Sequence, residues 1–63
     1  MEINIIQIKV ELAKSEKTIA DLALAVNISK AHLYNIIKFR RSTFEMLTRI
    51  ANALGVDPKD LLT

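Results

Sequence analysis

Residues 18–37, TIADLALAVNISKAHLYNII, leave this chain few folds to choose from. Leu22, Ala23 and Val26 recur at helical spacing and mark one apolar face. Asn27 follows at once, where the chain has to turn sharply, and Asn accepts a left-handed backbone better than most residues. Ser29 is placed to cap a second helix, whose apolar face is Leu33, Ile36 and Ile37. Ala31, Tyr34, Asn35 and Lys38 project from its other side. Two helices joined by so short a turn pack steeply and leave the second prominent at the surface. That is a helix-turn-helix, an element able to lay a helix in the DNA major groove.

The flanking sequence extends the helical pattern. A first helix is expected over residues 3–14, with Ile5, Ile8 and Leu12 on one face and Ile6, Val10 and Ala13 beside it. That stripe is wide enough to leave part of it exposed in a monomer. Thr18 and Asp21 form a Thr-x-x-Asp variant of the capping box and open the second helix, residues 19–26. The third helix is expected over residues 30–38, followed by a basic loop over 39–42. Ser42 and Glu45 make a Ser-x-x-Glu capping box for a fourth helix with Phe44, Leu47, Ile50, Ala51 and Leu54 toward the core. Gly55 ends it. Asp57 as N-cap and Pro58 at the first helical position start a one-turn fifth helix held by Leu61 and Leu62. The expected fold is all-α: one domain over residues 1–63, a compact bundle of about five short helices.

At 63 residues without cysteine, the chain folds without disulfides or thiolate metal sites and lies near the lower size limit for doing so. A reducing cytoplasm is the default compartment. No apolar run approaches membrane-spanning length, and Glu2, Asn4 and Gln7 spoil any signal-peptide or lipidation pattern at the N-terminus. The net charge of +2 is mild, but its distribution is not. No acid lies between Asp21 and Glu45, while Lys30, Lys38, Arg40 and Arg41 are all basic. The remainder holds five basic residues against seven acids. By itself such a segment reads as a solvated charge run. Flanking the exposed helix of a helix-turn-helix, it reads as the footprint of a polyanion.

These features resemble the Cro/C1-type helix-turn-helix family of bacterial and phage repressors over nearly the whole chain. Thr18, Leu22 and Ala23 meet the family's Thr-x-x-x-Leu-Ala opening. Asn27, Ile28 and Ser29 stand where it has Gly-Val-Ser, and residues 51–62, ANALGVDPKDLL, are close to its usual ending. The resemblance implies a lambda-repressor-like domain. The chain also departs from the pattern. Ile19 replaces a phosphate-contacting Gln, Phe39 replaces a Gly, and the loop after it is short. Leu12 and Ile37 replace an Arg and a Glu that many members join as a buried ion pair. Losing both charges together is physically sensible: stranding one buried charge costs roughly 3–5 kcal/mol, whereas an apolar pair is often neutral or better.

By the same resemblance, the positions of Lys30, Ala31 and Asn35 read bases. Asn pairs bidentately with adenine, Lys favours guanine acceptors and Ala can touch a thymine methyl. Tyr34 joins this base-contacting set, with phosphate or sugar contact as its other use; for Tyr34 and Asn35 the plain alternative is a solvent-facing filler. The expected phosphate contacts are Lys38, Arg40 and Arg41, the helix starts at Thr18, Ser29 and Ser42, and His32. A lone His without a second ligand makes a poor metal site, and His32 reads first as a surface helix residue, with phosphate contact second. Asp57 and Asp60 fit capping better than acid–base work. No nucleophile–base pair, glycine-rich phosphate loop or metal spacing appears, so neither an enzyme nor a cofactor or small-molecule substrate is expected.

The expected function is a sequence-specific DNA-binding transcriptional regulator, a repressor, working as a homodimer on double-stranded DNA. The alternative is a protein-interaction module on the same fold, antirepressor-like or antitoxin-like, motivated by apolar Ile19, Ile37 and Phe39 at positions the family keeps polar, charged or glycine.

Overall fold

The computed structural model describes residues 2–63. It has four α-helices, α1 (Ile5–Lys14), α2 (Ile19–Ala25), α3 (Lys30–Phe39) and α4 (Phe44–Leu54), and a closing 3₁₀ turn, Pro58–Leu61. The all-α reading holds, with the expected fifth helix reduced to that turn. No helix among the described residues is long and apolar enough to cross a membrane.

One core serves all five elements. Ile8 and Leu12 come from α1, Leu22 and Ala23 from α2, with Val26 just after it, and Leu33 and Ile36 from α3. Leu47, Ile50, Ala51 and Leu54 come from α4, and Leu61 from the closing turn. Ile19 and Ile37 are half-buried against it, as are Ile5, Ile28 and Met46. No buried charged or polar side chain interrupts it among the described residues. Leu12, 5% exposed, and Ile37 thus feed the same apolar interior, at the two positions where the resemblance implied an ion pair.

The expected first helix starts too early. Asn4 Oδ1 accepts the Gln7 backbone N–H at 3.1 Å, so Asn4 is the N-cap and α1 begins at Ile5. Ile3 lies outside the helix in extended backbone, yet is only 1% exposed. It pairs antiparallel with Leu62, while Glu2 pairs with Arg41. Of the wide stripe on α1, Ile8 and Leu12 are buried and Ile6 and Val10 stay exposed.

The helix ends share one device. Asn27, at φ 60°, is left-handed as expected; the Asn27 N–H donates to the Leu24 carbonyl at 3.2 Å and the Ile28 N–H to Ala23 at 3.0 Å. This doubly bonded left-handed cap makes the sharp turn between α2 and α3. Glu16 (φ 55°) ends α1 in the same way, with the Lys17 N–H on the Leu12 carbonyl at 2.9 Å, and Gly55 (φ 74°) ends α4. Arg40 (φ 55°) is the left-handed cap of α3. Three of the four are not glycine, and an L-residue there costs roughly 1–2 kcal/mol, less for Asn.

Three further expectations need correction around α3 and α4. Phe39 is the last residue of α3 rather than the first of a loop, because the left-handed turn falls on Arg40. The N-cap of α4 is Thr43, whose Oγ1 accepts the Met46 N–H at 3.2 Å; Ser42 Oγ instead donates to the Thr43 carbonyl at 3.0 Å. The pairing of Arg41 with Glu2 keeps the chain extended one residue further and delays the helix. Phe44, expected in the core, sits at the first position of α4 beyond the core's edge and is 61% exposed.

Candidate nucleic-acid interface

The candidate site is built on α3. Ser29 Oγ accepts the His32 N–H at 3.0 Å and starts the helix, while Leu33 and Ile36 anchor it in the core. That anchoring fixes its rotation. At 100° per residue, Ala31, Asn35 and Lys38 face directly outward, with Tyr34 on one flank and His32 on the other. Lys30, Ala31, His32, Tyr34, Asn35 and Lys38 are all exposed. Of the expected base-contacting residues, Ala31, Tyr34 and Asn35 share one open face, while Lys30 lies in the first turn on the side of Ile37.

The start of α3 suits an anion. Its first turn holds no acid, and the first N–H groups of any helix lie outside its internal ladder. The start of α2 is different. The Thr18 N–H donates to Asp21 Oδ2 at 2.9 Å and the Asp21 N–H to Thr18 Oγ1 at 3.2 Å, a complete capping box. The Thr18 N–H and then the Thr18 hydroxyl, bonding the Asp21 carboxyl, hold it below the ordinary aspartate pKa, with Lys17 adding a smaller pull. Thr18 has little left to offer a phosphate, since its N–H and its hydroxyl both serve the Asp21 carboxylate. The N–H groups expected there are in part already used.

The basic residues divide into groups. Arg41 shares a groove with His32 and Ser42 between α3 and the start of α4; Ile36 and Met46 also line it. Arg40, turned by its left-handed backbone, instead lines a cleft with Glu2, Ile6 and Lys9. The two arginines, expected to act side by side, thus line different clefts. Lys38 Nζ lies 5.5 Å from the centre of the Phe39 ring, and Phe39 is 64% exposed. That contact is worth about 0.5–1 kcal/mol at an exposed site, and it holds the ammonium at the negative end of α3, a structural use beside the expected phosphate contact. Among the described residues the ion pairs are Lys14–Glu11 at 3.7 Å and Arg49–Glu45 at 3.3 Å. The two acids that bound the basic segment are thereby committed elsewhere, Asp21 to its cap and Glu45 to Arg49. Lys30, Lys38, Arg40 and Arg41 enter no ion pair.

Compared with known families, residues 7–63 match the Cro/C1-type HTH DNA-binding domain. The chain belongs to that family. No curated protein and no solved structure gives a significant match. Membership fits the geometry: a Cro/C1-type domain presents the second helix of its helix-turn-helix, here α3, and that helix carries the open polar face. The extended segment at residues 2–4 lies outside the matched region. Sequence reasoning missed that segment, Phe39 as a seat for Lys38, and Met46 as a wall of the arginine groove. Asn4, a strong N-cap type just after Ile3, was the available signal for the first.

Proposed function

We infer that this Cro/C1-type domain is a sequence-specific transcriptional regulator, a repressor, that binds a two-fold operator as a homodimer in the cytoplasm. The observation that carries the reading is the outward face of α3. It is exposed and acid-free, and its cations are without ion-pair partners among the described residues. In this reading α3 enters the major groove. Lys30, Ala31, Tyr34 and Asn35 meet base edges. Arg41 with His32 and Ser42 grips one phosphate run, and Ser29 and Lys38 touch phosphate at the two ends of the helix. Arg40 and Thr18 are minor contacts, each beside an acid. A single small module buries a modest DNA interface, and two-fold pairing is the usual route to useful affinity.

The protein-interaction alternative loses most of its motive. Ile19 and Ile37 are half-buried against the core, so of the three residues behind it only Phe39 is exposed.

The test is binding to random duplex DNA across a range of salt, followed by selection of preferred sites from a random pool. A DNA reader gives a steep negative slope of log affinity against log salt and an enriched palindrome. A flat slope with no enriched site sinks this reading and leaves the protein-interaction module.

A further inference from the structure

The extended residues 2–4 touch two distant parts of the chain at once. On one side the Ile3 N–H donates to the Arg40 carbonyl at 2.9 Å and Glu2 pairs with Arg41. On the other, the Asn4 N–H donates to the Leu61 carbonyl at 2.7 Å, Ile3 pairs with Leu62, and Thr63 Oγ1 donates to Glu2 Oε1 at 3.0 Å. Ile3 is sunk in the core. The residue whose carbonyl it holds, Arg40, is the left-handed cap of α3. A left-handed arginine persists only where its surroundings over-determine it. The direction of the chain after Arg40 decides which groove Arg41 enters.

We propose that residues 2–4 are a positioning strap for the phosphate grip: by holding the Arg40 carbonyl, Ile3 fixes the left-handed turn that aims Arg41 into the groove with His32 and Ser42. The inference rests on the DNA-binding reading. It adds to the matched domain a segment outside residues 7–63 and gives Ile3 a task beyond filling the core. Arg41 is the contact; Ile3 is a positioning residue that acts through Arg40.

At 63 residues the chain is within reach of chemical synthesis, so single backbone amides can be replaced by esters. An ester at Ile3 deletes the donor to Arg40 and weakens the Glu2 carbonyl as an acceptor. An ester at Asn4 deletes the donor to Leu61 and serves as the control, since it weakens the strap's other attachment. Salt slopes on one duplex are compared at a temperature where circular dichroism shows each variant folded. The expected result is a slope flattened by about one contact, near 0.9, for the Ile3 ester and unchanged for the Asn4 ester. Equal slopes for both overturn the proposal and leave the strap a purely structural element.

A second readout needs no DNA. Glycine adopts φ above zero freely, so Arg40→Gly removes the need for the strap at the turn. It is expected to rescue the melting temperature of the Ile3 ester much more than that of the Asn4 ester, including where the ester alone does not fold. Equal rescue also overturns the proposal. If the unmodified chain binds DNA without salt dependence, the functional reading fails while the melting comparison still judges the strap.

Discussion

Asn35 carries the clearest burden of any single side chain. It points away from Leu33 and Ile36, one turn after Ala31, and its amide is exposed. A bidentate pair with adenine contributes roughly 1–3 kcal/mol of discrimination. Asn35→Ala is therefore expected to relax preference at one base pair per half-site and to leave affinity for random duplex nearly intact. Competition between the best site and its single-base variants measures this, and identical profiles for both proteins would show that Asn35 reads nothing. The two arginines are expected to separate. Arg41→Ala should weaken all sites about equally and flatten the salt slope by about 0.9. Arg40→Ala should do less, because Arg40 faces the cleft with Glu2. Equal losses in a salt titration would put both on phosphate. The exposure of Ala31, Tyr34 and Asn35 was legible in the sequence, since helical periodicity fixes which side a buried Leu33 leaves open. The parting of Arg40 from Arg41 was not. It depends on a left-handed backbone at an arginine, for which local sequence carries no signal.

Among the helices, three of the five starts could be read from cap chemistry. Thr18–Asp21, Ser29 and Asp57–Pro58 announce themselves by side-chain chemistry, and each caps as expected. Ser42 and Thr43 are both competent caps, and a long-range pairing at Arg41 decided between them. Gly55 and Asn27 were readable as left-handed stops, Glu16 and Arg40 were not. Glu16 is exposed and strained, so Glu16→Gly should raise stability by about 1 kcal/mol, or roughly 4–8 °C in a domain this size. A thermal melt that falls instead would mean that the flexibility gained in the unfolded chain outweighs the strain. The start of α2 also predicts an acid sensitivity. Because the Asp21 pKa is lower folded than unfolded, its contribution is present above the unfolded value and fades as pH falls through the folded one. Asp21→Asn should accordingly be less stable than wild type near pH 7. The two should converge below the aspartate range, as melts across pH would record. A constant gap down to pH 2 would assign the effect to shape rather than charge.

Across the molecule, the apolar pattern accounts for nearly all of the core, and the errors collect where residues far apart in sequence meet. Ile3 was misplaced and Phe44 overestimated because periodicity sees only neighbours along one helix. The paired departure at Leu12 and Ile37 belongs here too, since a single apolar interior has no place for one charge alone. Leu12→Arg should destabilise the domain by about 3 kcal/mol or more. That is a large share of what so small a core supplies. The melting transition should fall steeply, and an unchanged melt would show that position 12 reaches solvent.

The hydrogen bond from the Thr63 hydroxyl to the Glu2 carboxylate joins side chains 61 residues apart. A short linker joining residue 2 to residue 63 would span that contact. It would leave the native architecture as it stands while taking from the unfolded ensemble every conformation in which the ends wander apart, a loss that grows with the logarithm of the loop closed. Such a ring could also be cut elsewhere, for instance in the exposed turn at Glu16, giving a permuted chain in which the present N-terminal strap becomes an internal connection.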